Sequence, residues 1–277
     1  MTVEPFLFSS APWLLAAVAG AGVPAQDRVG AVVVDWERKR KAERQALAAV
    51  HIGTDTQIGT DTPDDLARTT ASVRVPTICR LNAPGPDSGA EVRLAAALGA
   101  TEVLVPMVRR PSEVEHILRH AGDRVGVGVM LETNDAVEAV PRIARLPVTR
   151  AYVGLMDLAL DRGSRTIFAA VVDGTLERVR DAVSVPFGFG GLTVPGGGSP
   201  VPTLLLLGEM ARLECDFTFL RRSFIADTTG GNRAAAVNGI RAAAAGAGRR
   251  SAERIAEDHR RLVEAVHALG GAVVARA

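Results

Sequence analysis

Two acidic side chains carry the first chemical signal. Glu132 closes the apolar run Val125–Leu131, and Asp157 follows the run Ala151–Leu155. They are 157 − 132 = 25 residues apart, about one strand–helix unit. Acids at the ends of neighbouring parallel strands would meet on one side of a shared mouth. With no His or Cys beside them, the pair suits a hard, oxygen-preferring cation that keeps several waters, Mg2+ or Mn2+. The plainer alternative is that each acid only starts the helix after it.

Basic groups accompany the acids. Arg80 ends the segment VPTICRLN. Strand alternation puts Cys79 and Arg80 on opposite faces, so a mouth-facing Arg80 leaves Cys79 as an inert core thiol. A guanidinium there can grip a carboxylate through two hydrogen bonds or stabilise an enolate oxygen. A structural ion pair is the competing explanation. Asp35 and Glu37 share a parity and could orient Arg80 or hold waters on the cation. Otherwise they are a charged lead into the helix Lys39–Arg44. The glycine loop Gly188–Gly198, with Gly190 in it, offers backbone N–H groups, and Arg221 and Arg222 follow the next strand. Together they favour an anionic substrate. His116 and His120 are four apart with no catalytic Glu between them and read as a solvated face. His51, His259 and His267 lie away from strand ends.

Such a mouth needs strands that end together. Eight apolar or β-branched runs are spaced along the chain: Pro5–Phe8, Gly30–Asp35, Pro76–Leu81, Glu102–Pro106, Val125–Leu131, Ala151–Leu155, Val185–Phe189 and Asp216–Leu220. Each precedes an amphipathic stretch. Eight such units predict an α/β chain folded as a (β/α)8 barrel over residues 1–250. A doubly wound sheet is the alternative, but no GxGxxG follows the first strand. Residues 251–277 predict an extra C-terminal helix, Ala252–Leu269, that could pack across the barrel or on a neighbouring subunit. Thr62, followed by Pro63, Asp64 and Asp65, predicts a capped helix start. Pro111-Ser112-Glu113 opens another helix. GTDT occurs twice, at Gly53–Thr56 and Gly59–Thr62, as a turn-rich loop.

Composition excludes several classes. The 277 residues are 47% hydrophobic, with net charge +1, which is not the basic excess of a nucleic-acid binder. Aromatic content of 4% speaks against base-stacking platforms. Cys79 and Cys215 are too few for a disulfide framework or a Cys-rich zinc module. The apolar segment Ala11–Val23 is too short to span a bilayer and has no basic leader. With the run at Leu204 it reads as a core-facing helix. No membrane contact and a cytoplasmic location are expected.

The segments VVVDWERKRKAER, CRLNAP, GATEVLVPMVRRPSEVEHIL, VGVMLET and YVGLMDLALDRG resemble the HpcH/HpaI aldolase and citrate lyase beta-subunit family. The resemblance covers Val32 to Gly163 well and weakens from Phe187 to Phe224. It implies a (β/α)8 barrel that binds a divalent metal, usually Mg2+. It also implies C–C bond making or breaking next to a 2-oxo acid or an acyl-CoA. By resemblance Glu132 and Asp157 match the metal-binding acids, Arg80 the substrate arginine, and Asp35 and Glu37 the acidic pair after strand two. Trimers or hexamers with exchanged C-terminal helices are implied as well. This chain departs in having Arg38 where the aldolase branch has a His and the citryl-CoA branch an Asp. FLRRSFIAD is not the usual ending of either branch.

The expected reaction is therefore a metal-dependent C–C cleavage or aldol addition through a pyruvate-type enolate. Arg80 would stabilise charge, and a metal-bound water polarised by Glu37 or Asp35 would serve as base. An acyl-CoA lyase is the alternative, with Arg109, Arg110 and Arg222 as candidates for the nucleotide phosphates. A non-catalytic anion-binding barrel is the third possibility.

Overall fold

A computed structural model describes residues 3–39, 41–51 and 61–272. Eight parallel strands occur among them: β1 (Glu4–Phe8), β2 (Ala31–Asp35), β3 (Thr77–Arg80), β4 (Glu102–Val105), β5 (Gly126–Leu131), β6 (Arg150–Val153), β7 (Phe187–Phe189) and β8 (Phe217–Leu220). Each pairs with the next, and β8 returns to β1, so the sheet closes on itself. Closure removes both edges and rules out the open doubly wound sheet.

Alternation sorts the side chains into two cores. Phe6, Val33, Ile78, Leu104, Met130, Tyr152, Phe217 and Phe219 point inward and fill the barrel. Their neighbours Leu7, Val32, Val34, Cys79, Val103, Val129 and Val153 point outward against the helices. Cys79 is thus a buried core thiol, as the parity of Arg80 required. Fully burying one such large apolar side chain contributes roughly 1.5–3 kcal/mol.

The helices follow their local signals. Thr62 caps the helix Pro63–Ser72 in a capping box with Asp65. The two apolar runs form the helices Pro12–Val18 and Thr203–Arg212, which bury Leu14, Leu15, Leu206 and Leu207. Among the described residues no helix is long and apolar enough to cross a membrane. The last helix, Ala252–Ala272, packs on Thr203–Arg212 and Ala169–Val172 of its own chain. It buries Leu262 and Val266, and His259 Nδ1 lies 3.0 Å from Glu209 Oε2.

Two boundaries near the site differ from expectation. β6 stops at Val153, because Gly154 turns the chain and Leu155–Asp161 coils at once into a helix. Asp157 therefore sits in the first helical turn rather than at a strand end. The helix after β2 is Lys41–His51, not Lys39–Arg44. Of the two GTDT motifs, only Asp61 and Thr62 are within the described residues.

Candidate active site at the barrel mouth

Register decides which charged groups meet. Asp35 and Arg80 are opposite each other on β2 and β3, both facing inward at the mouth. Arg80 donates from Nε to Asp35 Oδ1 (2.9 Å) and from Nη2 to Oδ2 (2.8 Å). Lys41 also donates to Asp35. Burial opposes ionisation of Asp35, but Arg80 and Lys41 outweigh it and hold the carboxyl well below its usual range. The end of β2 is fixed from outside as well. Asp61 Oδ2 accepts from the Asp35 backbone (2.8 Å), and Asn82 Oδ1 accepts from the Arg38 and Lys39 backbones (2.8 and 3.0 Å).

Glu37 is buried beside the same cations. Its Oε1 accepts from Arg44, and its Oε2 lies 3.1 Å from Arg80 Nη1 without the geometry of a hydrogen bond. Arg44 spans to the other side of the mouth, where its Nε donates to Asp157 Oδ1 (2.8 Å). Asp35, Glu37, Glu132 and Asp157 thus share the mouth with Lys41, Arg44, Arg80 and Arg221.

Glu132 follows β5 and is buried. Its Oε1 accepts from the Met107 backbone N–H (2.8 Å), where Met107 holds a left-handed φ of 53° after β4. Such a conformation is uncommon for a side chain of this kind and tends to persist where the surroundings impose it. Gly154 makes the room that Glu132 needs: a Cβ there would lie 2.3 Å from Glu132 Oε2. Burial, then the charges of Asp157 and Glu37, push the Glu132 carboxyl up to about 8. Neither Glu132 Oε2 nor Asp157 Oδ2 accepts a hydrogen bond among the described residues.

A cavity of about 250 Å³ opens over these groups. Arg80, Glu132, Asp157, Gly190, Arg221 and Arg222 all line it, which brings six of the eight expected site residues together. Asp35 and Glu37 do not line it. Both are engaged by ion pairs, so the geometry does not support their acting on a water in the cavity. Instead they fix Arg80, Lys41 and Arg44. Arg38 turns outward, donating to the Asp61 carbonyl (2.5 Å), so that position sends no side chain into the cavity either. Arg109 pairs with Asp135 and Asp161, and Arg110 is exposed next to Glu113. Of the three arginines considered for nucleotide phosphates, only Arg222 lines the cavity.

Three participants do not stand out in the sequence: Lys41, Arg44 and Tyr152. Tyr152 is the single tyrosine of the chain. It faces inward on β6 with its ring stacked on Phe219, centroids 4.1 Å apart. Its parity, two residues before Gly154 on a strand ending at the mouth, is the signal that could have found it. The two basic residues lie on a helix in a run of like charges, where spacing does not single them out.

Glu132 Oε2 and Asp157 Oδ2 are hard oxygen donors of the kind a divalent cation takes. Among the described residues no group of three or more His, Cys, Asp or Glu is arranged to hold a metal. The seat would therefore be two carboxylates, completed by water and substrate, a pattern usual for Mg2+.

No family profile matches the chain, and no curated protein matches it. Solved structures do. An HpcH/HpaI aldolase/citrate lyase family protein from Burkholderia cenocepacia J2315 is 17% identical at a TM-score of 0.60, over 83% of this chain and 92% of that one. An HpcH/HpaI aldolase from Desulfitobacterium hafniense DCB-2 is 14% identical at 0.59, over 83% and 90%. A tryptophan synthase from M. tuberculosis is 13% identical at 0.56, over 88% and 92%. At these identities the likeness is one of fold. Function must be argued from the site.

Proposed function

We propose that this chain is a carbon–carbon lyase of the aldolase type, acting on a small 2-oxo acid with Mg2+ or Mn2+. The observation that carries the reading is the pair Glu132 and Asp157 at the barrel mouth, each with one free oxygen and both lining a common cavity. A buried carboxyl pushed up to about 8 is a seat that wants positive charge. The resemblance of the segments around both acids to the HpcH/HpaI family points the same way, and two of the similar folds bear that family's name.

Glu132 and Asp157 would hold the cation, which when bound polarises an oxo group and stabilises developing enolate charge. The chain's own groups have separable tasks. Arg80, locked by Asp35, keeps a fixed positive charge at the cavity wall, where it needs no reorganisation as charge develops. Arg44 orients Asp157 through the hydrogen bond from its Nε. The Tyr152 hydroxyl, held protonated by burial, supplies a neutral hydrogen-bond donor. Phe8, Met130 and Phe219 shield these contacts from water.

Release of pyruvate from 4-hydroxy-2-oxo acids in the presence of Mg2+ or Mn2+ tests the reading. Glu132→Ala and Asp157→Ala should each abolish cation-dependent turnover. Undiminished activity in either variant would overturn it. Cleavage of CoA esters without pyruvate release would favour the acyl-CoA lyase instead.

A further inference from the structure

The connection from β2 to β3 contains two helices with different places in the barrel. Pro63–Ser72 packs on both strands and adds Leu66 to the outer core. It fills that unit's place in the helical ring. Lys41–His51 packs chiefly on the helix Leu155–Asp161, which follows β6. In a ring of eight strands β2 and β6 stand opposite each other, so Lys41–His51 crosses the mouth.

Charge rather than apolar burial fastens it. Among the described residues neither apolar core takes a side chain from this helix; Leu47 is exposed, and Ala48 is buried outside both cores. Lys41 pairs with Asp35 at the β2 end. One turn on, Arg44 joins Glu37 to Asp157. An 11-residue helix is marginal on its own in water, so these pairs hold Lys41–His51 folded in place. Arg44 engages Asp157 through Oδ1 (2.8 Å), and a cation on Oδ2 would share the same carboxylate. A carboxylate fixed through one oxygen presents the other in a set direction. Repulsion between guanidinium and cation is offset by the two carboxylates on Arg44.

We infer that Lys41–His51 is a strap whose fastening across the mouth is coupled to cation binding through Arg44, a positioning residue. With the strap fastened, Arg44 aims Asp157 at the cation; with the cation in place, Asp157 holds Arg44 and the strap stays down. Coupling of this kind is reciprocal, so each event favours the other by the same factor. Outer partners of metal ligands are typically worth about 10- to 100-fold in affinity, which sets the size expected. The inference rests on the cation seat of the lyase reading but not on the reaction.

Mn2+ binding and amide exchange on the full chain test this without substrate. Saturating Mn2+ should slow hydrogen–deuterium exchange in Lys41–His51 by about 10- to 100-fold and affect Pro63–Ser72 much less. Arg44→Gln should weaken Mn2+ binding, followed by the paramagnetic resonance of the free ion, by a similar factor. In that variant Mn2+ raised to saturation should no longer slow exchange in the strap. Arg44→Lys, which keeps a charged donor, should restore part of both effects. A purely structural role would speed exchange across the barrel and leave the Mn2+-dependent slowing intact, which overturns the inference. So does Mn2+ binding that leaves exchange in the strap unchanged or faster, and so does an unchanged Mn2+ affinity in Arg44→Gln. Should that variant fail to fold by circular dichroism, Arg44→Lys and the exchange of the unaltered protein with and without Mn2+ decide the matter. If Mn2+ fastens the strap but no 2-oxo acid turns over, the lyase reading fails and the strap stands. If pyruvate is released with Mn2+ while exchange in the strap ignores the ion, the strap fails and the lyase reading stands. No Mn2+ binding at all overturns the strap together with the cation seat.

Discussion

Removing the Asp35 carboxylate would leave Arg80 and Lys41, two buried cations, without their nearest counter-charge. Breaking a buried pair in this way costs about 3–5 kcal/mol, so Asp35→Asn should melt well below the unaltered protein. The pH dependence follows from the same pairs. The folded-state pKa of Asp35 is depressed, so its contribution is complete above the unfolded value near 3.9 and is lost as pH falls through the folded value. Melting temperature against pH should show a shallower acid limb in Asp35→Asn, and an unchanged limb would contradict the assignment. The acids and Arg80 were legible in the sequence because each ends or closely follows an apolar strand. Their division of labour was not. The letters D-W-E do not show that Asp35 and Glu37 spend their oxygens on three cations from other elements, since two of those cations come from the following helix and one from β3.

At the scale of elements, alternation did most of the predictive work. It put Cys79 and Arg80 on opposite faces, as the structure has them, and all eight strands fall within a residue or two of expectation. It failed at β6, because Gly154 and Leu155 continue an apolar run while the backbone has already left the sheet. Gly154 has an ordinary φ of −85°, so its role is space rather than backbone freedom. Gly154→Ala would press a methyl group onto the Glu132 carboxylate. Overpacking of this kind costs about 1–3 kcal/mol, and the displaced carboxylate should bind Mn2+ more weakly. A thermal melt and a Mn2+ titration check both effects; an unaltered titration would show that Glu132 does not set the cation seat.

The whole molecule repeats one unit until the sheet closes, and that repetition made the fold readable from a chain with 4% aromatic residues. Closure brings Phe8 and Arg221 together at the mouth although they are 221 − 8 = 213 residues apart in the chain. Sequence spacing alone could pair Glu132 with Asp157, one unit apart, but not Arg44 with Asp157, 113 residues apart. A ligand that binds only the closed barrel stabilises all of it: Mg2+ at a hundred times its Kd should add about 2.7 kcal/mol. The resulting rise in melting temperature should vanish in Glu132→Ala. The most direct test is a crystal soaked in Mn2+ and oxalate, with the ion located by its anomalous scattering. The ion should sit between the Glu132 and Asp157 carboxylates with oxalate chelating it towards Arg80; an anomalous peak elsewhere, or none at the mouth, would contradict the proposed chemistry.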